Sequence, residues 1–212
     1  MEHYPVLLDL AGKSCLVVGG GKVAERKAAS LVQAGARVLV VSPAVTPGLA
    51  SMAETGAVSW QRRPYESTDP EGAFLVFATA GDRRVNERVA SDARAHGRPV
   101  NVADDPDLGD FFVPAALRRG RLTVAVSTGG ASPALAARIR DRLAAFFPAG
   151  WGPFLDFLAE TRERVCREVG DARKRRGLLQ EMAGPRVWEM LDQGDFAAAK
   201  ERVDLVYRGG GG

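Results

Sequence analysis

The feature that most constrains this chain is a short apolar run that breaks into glycine and resumes as a helix. Ser14-Cys15-Leu16-Val17-Val18 reads as a buried strand, Gly19-Gly20-Gly21 follows at once, and Lys22 to Ala34 carries a helical pattern that stops at Gly35. A strand turning sharply into a helix through glycine opens a parallel α/β sheet. The first half keeps that rhythm. Further strands are expected at 37–41, 58–61, 73–79 and 99–102, with a helix from about Asp82 to His96. Strands and helices alternating at this spacing predict a doubly wound parallel sheet over 1–113.

After Asp104 the pattern changes. Phe111-Phe112-Val113 and Leu122–Val126 read as strands joined by only eight residues, Pro114 to Arg121, too few for a helical crossover, so an antiparallel or swapped pairing is expected. Ser132-Pro133 then starts a helix, because serine caps well and proline suits the first helical position. Leu135, Ile139, Leu143 and Phe146 share one face of it. Residues 114–150 are therefore set apart as a small dimerisation segment. Helical patterns near 151–168, 172–183, 185–193 and 195–206 make 151–208 an α-helical subdomain, and 209–212 a disordered tail.

Gly19-Gly20-Gly21-Lys22-Val23-Ala24 satisfies G-x-G-x-x-A between a strand and a helix. The first glycine permits the turn, Gly21 lets a pyrophosphate approach the backbone, and Ala24 allows close helix–strand packing. In this context the motif predicts a Rossmann-like NAD site, with Gly19, Gly20, Gly21, Lys22 and Val23 at the phosphates. Thr79, ending a neighbouring strand, joins the cofactor-binding set. An acidic residue usually closes the second strand to bind the ribose 2′-hydroxyl; here Ser42-Pro43-Ala44 stands instead. Serine and nearby amides are expected to serve, and with no arginine placed beside them NAD is favoured over NADP.

Charge separates the function classes. The net charge is only +3, too small to imply nucleic acid. Residues 114–142 nevertheless hold six arginines against Asp141 alone, while 1–113 is net acidic. Such a stretch suits an anionic ligand or a solvated face. Cys15 and Cys166 are too few for a disulfide framework or zinc site, and are expected to be packing residues; His3 and His96 have no ligand spacing, so no metal site is expected. Without a signal segment or a spanning apolar run, the chain is expected in the cytoplasm, away from membranes.

Taken together, Gly19-Gly20-Gly21-Lys22-Val23-Ala24-Glu25-Arg26-Lys27, the Ala78-Thr79 strand end, Asn101-Val102-Ala103-Asp104 and Val126-Ser127-Thr128-Gly129-Gly130-Ala131-Ser132-Pro133 resemble precorrin-2 dehydrogenase, the siroheme-synthase N-terminal module. The resemblance spans nearly the whole chain. It implies NAD-dependent oxidation of precorrin-2 to sirohydrochlorin, in some relatives followed by insertion of ferrous iron, and a homodimer with a swapped segment. No methyltransferase-like segment follows, so the chain is expected to take precorrin-2 from elsewhere. Asp104, past the fifth strand, is the expected general base; Asp105 beside it leaves open which carboxylate faces the site. Thr128, where several relatives carry serine, forms with Gly129 and Gly130 a loop suited to a substrate carboxylate, and Arg118 is the expected arginine partner. Arg119, Arg121, Arg138, Arg142 and the run 173–176 read as solvated surface. The competing expectation is a non-catalytic NAD-binding redox sensor, although no helix-turn-helix with a basic reading helix is present. A chelatase without NAD use conflicts with the intact glycine motif.

Overall fold

In the computed structural model, which describes residues 3–209, the chain divides into two compact units, Met1–Val113 and Pro114–Gly212. The first holds five parallel strands: β1 (Ser14–Val18), β2 (Arg37–Val41), β3 (Ser59–Gln61), β4 (Leu75–Ala78) and β5 (Val100–Val102), in the order β3-β2-β1-β4-β5. Helices α1 (Lys22–Gln33), α2 (Pro47–Glu54) and α3 (Arg83–Ala95) connect them. Alternate strand residues supply two cores. Cys15, Val17, Val38, Val40, Leu75 and Phe77 pack with α1 and α2, whereas Leu16, Val18, Val41, Val76 and Ala78 pack with α3. Burial on both faces explains why these strands read as continuous apolar runs. Cys15 lies in the first core, where burial raises its thiol pKa and keeps it unreactive.

Helix α2 has no counterpart in the sequence expectations. Its start uses the signal recognised at Ser132-Pro133: Thr46 accepts a hydrogen bond from the Leu49 N–H, and Pro47 fills the first turn.

The second unit pairs β6 (Ala115–Arg119) antiparallel with β7 (Leu122–Val126), followed by α4 (Pro133–Leu143), α5 (Trp151–Glu168), α6 (Ala172–Glu181), α7 (Pro185–Asp192) and α8 (Phe196–Gly209). Trp151, Phe154, Val165, Met182, Val187, Ala199 and Val203 form its main core. Four expectations are corrected here. Phe111–Val113 is not a strand, because Asn101 Nδ2 donates to the Phe111 carbonyl and the Phe111 ring packs edge-on against Phe77. Arg118 and Arg119 stand on β6 rather than on a loop. Cys166 is exposed on α5, not packed. Gly209 belongs to α8; the rest of the expected tail, 210–212, lies outside the described residues. Residues 114–150 and 151–209 fall in one unit.

Candidate active site

The strand order reverses between β1 and β4, and open α/β sheets bind ligands at the carboxyl ends of strands beside such a switch. A cleft of about 460 Å³ lies there. Its walls include Gly19, Gly20, Gly21, Lys22 and Val23 after β1, Ser42 and Pro43 after β2, and Thr79 to Asp82 after β4. A larger hollow, about 680 Å³, runs along β1–β3 past Ser14, Arg37 and Ser59. The carboxylate in it, Asp69, is already bonded to Arg63.

Each glycine does different work. Gly19 has φ +125°, and a Cβ there would come within 2.6 Å of the Thr79 carbonyl oxygen. At Gly20 a Cβ would fall 1.8 Å from the Ala44 carbonyl oxygen, so loop and glycine are in backbone contact. Ala44 thus lies against Gly20, and unlike Ser42 and Pro43 it does not line the cleft. Gly21 faces open space on its Cβ side and is the N-cap of α1, with no side-chain cap bond. The first-turn amides of α1 are therefore left for an anion, and the glycine gives it room to approach. These residues fit a dinucleotide pyrophosphate. The Ser42 hydroxyl donates to the Ala44 carbonyl at 2.7 Å, and the Thr46 N–H donates to the Gly20 carbonyl at 2.9 Å, tying the loop after β2 to the glycine turn. Thr46 also donates to Glu25, which with the Lys22 ammonium holds that carboxyl below its ordinary range. On the other wall, the Thr79 N–H and hydroxyl both donate to the Val18 carbonyl at 2.8 Å.

Asp104 does not line the cleft but is tethered to its wall. Its Oδ1 accepts from Asn86 Nδ2 at 2.9 Å; the same amide donates to the Ala80 carbonyl and accepts from the Ala80 N–H. Asn86 is buried on α3, and Ala80 lines the cleft. Asp105 is otherwise engaged, pairing with Arg83 at 3.0 Å and capping the next turn through the Asp107 N–H. Sequence reasoning missed Asn86, although a signal exists: it shares the buried face of α3 with Val89, Ala90 and Ala93. A buried amide in an apolar row has to be serving polar partners.

In the second unit the Thr128 hydroxyl is used within its own loop, accepting from the Ser132 N–H at 3.0 Å and donating to the Ser132 carbonyl. Gly129 and Gly130 hold φ of +61° and +88°, which only glycine adopts readily. Arg118 is exposed and has no ion pair among the described residues. Among those residues no three His, Cys, Asp or Glu side chains cluster as metal ligands, and no helix is long and apolar enough to cross a membrane.

Residues 6–115 match the family described as "Putative NAD(P)-binding", and 119–145 match "Sirohaem biosynthesis protein central". The siroheme synthase of Methylococcus capsulatus is 40% identical over 95% of this chain and 45% of its own length. That of Methylobacillus flagellatus is 38% identical over 100% of this chain and 45% of its own length. The chain thus spans about half the length of the curated relatives it matches. A solved structure, SirC, precorrin-2 dehydrogenase, superposes with a TM-score of 0.77 at 31% identity, covering 94% of this chain and 100% of that one.

Proposed function

This chain belongs to the precorrin-2 dehydrogenase and siroheme synthase family, and from that premise we propose that it oxidises precorrin-2 to sirohydrochlorin with NAD in siroheme biosynthesis. The observation that carries the reading is a carboxylate, Asp104, fixed through Asn86 to the wall of the glycine-walled cleft. The reaction removes a hydride and a proton from the macrocycle. NAD, when bound, would supply the hydride acceptor. The amides of Gly21 and the first turn of α1 would hold its pyrophosphate, and Ser42 would face its ribose. Asp104 takes the proton as general base and passes it to water. The exposed Arg118 and the Thr128-Gly129-Gly130 loop receive carboxylates of the substrate.

The same carboxylate would accept pyrrole protons if ferrous iron, as a second substrate, is inserted into sirohydrochlorin. A cytoplasmic homodimer completes the proposal. Leu135, Ile139 and Phe146, at 50%, 36% and 69% exposure, present the apolar face that such a dimer would cover.

Supplying precorrin-2 and NAD to the purified chain tests this: NADH and sirohydrochlorin should form in equal amounts. If both compounds bind and no NADH appears, the dehydrogenase reading fails. Gly21→Asp should block the reaction while the protein stays folded. Its side chain has open space and the cap geometry suits aspartate, but the carboxylate would occupy the anion position at α1. Unchanged NAD affinity by calorimetry in this variant would overturn the placement of the cofactor.

A further inference from the structure

The second strand ends without its usual acid, and a cation follows the end of the strand paired with it. Val41 pairs with Gln61, the last residue of β3, and the Ser42 N–H donates to the Gln61 carbonyl at 3.2 Å; Arg62 follows directly, where the Arg63 N–H bonds back to the Gln61 carbonyl and turns the chain. Trp60 fixes this arrangement. Its Nε1 donates to the Ser42 carbonyl at 2.9 Å, and the Arg62 guanidinium lies 5.8 Å from its ring centroid. Arg62 is thus linked to Ser42 through the Trp60 indole, a connection that sequence spacing does not reveal.

Arg62 is exposed and makes no ion pair among the described residues, whereas its neighbours are committed. Arg63 bonds both Asp69 oxygens and the Gln61 side chain. Burial alone would raise the Asp69 pKa, but Arg63 and the Glu66 N–H outweigh it and hold the carboxyl below its usual range. Glu66 approaches Arg63 at 4.0 Å. The local carboxylates are thus turned to Arg63, leaving Arg62 as an exposed positive charge beside Trp60, whose indole is bonded to the cleft residue Ser42.

A carboxylate closing β2 binds a free 2′-hydroxyl and repels a 2′-phosphate; an arginine near that position attracts the phosphate and still tolerates the hydroxyl. We infer that Arg62 is a specificity-determining residue that lets this cleft accept a 2′-phosphorylated dinucleotide, NADP, as well as NAD. The inference rests on reading the cleft as a dinucleotide site.

Fluorescence titration of the full chain with NADH and NADPH tests it. NADPH should bind within about threefold of NADH. Arg62→Gln should weaken NADPH by about tenfold, the effect of losing one charge-assisted hydrogen bond, with NADH changed less than about twofold. Arg62→Lys should recover part of the loss. NADPH binding at least about a hundredfold weaker than NADH to the unaltered chain would overturn the inference and spare the dinucleotide reading. An equal loss for both ligands in Arg62→Gln would overturn it too, making Arg62 a structural residue. If neither ligand binds the folded chain, the reading of the cleft itself fails and the inference with it.

Discussion

Two adjacent aspartates, Asp104 and Asp105, have been given different work by their surroundings. Asp105 is bound to Arg83 and to the Asp107 N–H, so it shapes the turn. Asp104 accepts one hydrogen bond, from an amide that is itself locked to Ala80, and it remains exposed to take a proton. Asp104→Ala should therefore lower turnover by about 10²–10⁴-fold, the range for losing a general base, with NAD affinity unchanged. Asp105→Ala should act on stability, not on the chemical step. Steady-state kinetics on both variants check the division; equal turnover in the two would remove Asp104 from the mechanism.

Lys27, on α1, is a different kind of residue. Its ammonium sits 5.6 Å over the Phe77 ring with no carboxylate partner among the described residues. Burial, with Arg26 adding to it, pulls its pKa down to about 8. The unfolded chain, with lysine near 10.4, holds this proton more tightly than the folded one. Charged Lys27 thus costs stability, at most about 3 kcal/mol at neutral pH, and the cost fades as pH rises from about 8 to 10.5. Lys27→Met should be more stable than the unaltered chain at pH 7, with the gap closing across that alkaline window. Denaturant melts at several pH values check this; a gap that widens with pH would contradict it.

Helix α4, packed against the β6–β7 pair, leaves Leu135 and Ile139 uncovered. A two-stranded sheet is marginal without further packing. Leu117 and Ala136 are buried in this layer, while Leu135 and Ile139 remain at the surface. Leu135→Asp with Ile139→Asp should leave each chain folded, since both side chains are exposed within it, and convert a dimer to a monomer in light scattering. A dimer that survives the double substitution would place the interface elsewhere. These elements also mark what sequence can reveal. The start of α4 was legible because Ser132 and Pro133 act on their own helix. Strand β6 was not, because Ala115–Arg119 carries two arginines and little apolar alternation, whereas Phe111–Val113 looks like a strand and is held instead by Asn101 and Phe77. Local signals transfer to structure; docking against a distant strand does not announce itself.

At the scale of the molecule, each unit has its own core, and the dinucleotide cleft belongs wholly to the first. The glycine turn, Ser42, Pro43 and Thr79 were legible because each ends a strand of a predictable sheet. Arg62 and Asn86 were not, since one is linked to Ser42 only through Trp60 and the other acts through a hydrogen bond spanning 18 residues to Asp104. One feature of this cleft bears on how fast it can work. The Val18 carbonyl takes two donors from Thr79, its N–H and its hydroxyl, and the Gly20 carbonyl takes the Thr46 N–H, so the segments after β1, β2 and β4 are tied to one another by hydrogen bonds beside the cleft. A mouth fastened in this way is expected to take up a dinucleotide without a separate closing step: in stopped-flow fluorescence with NADH the observed rate constant should rise in proportion to ligand concentration, and a plateau would contradict this.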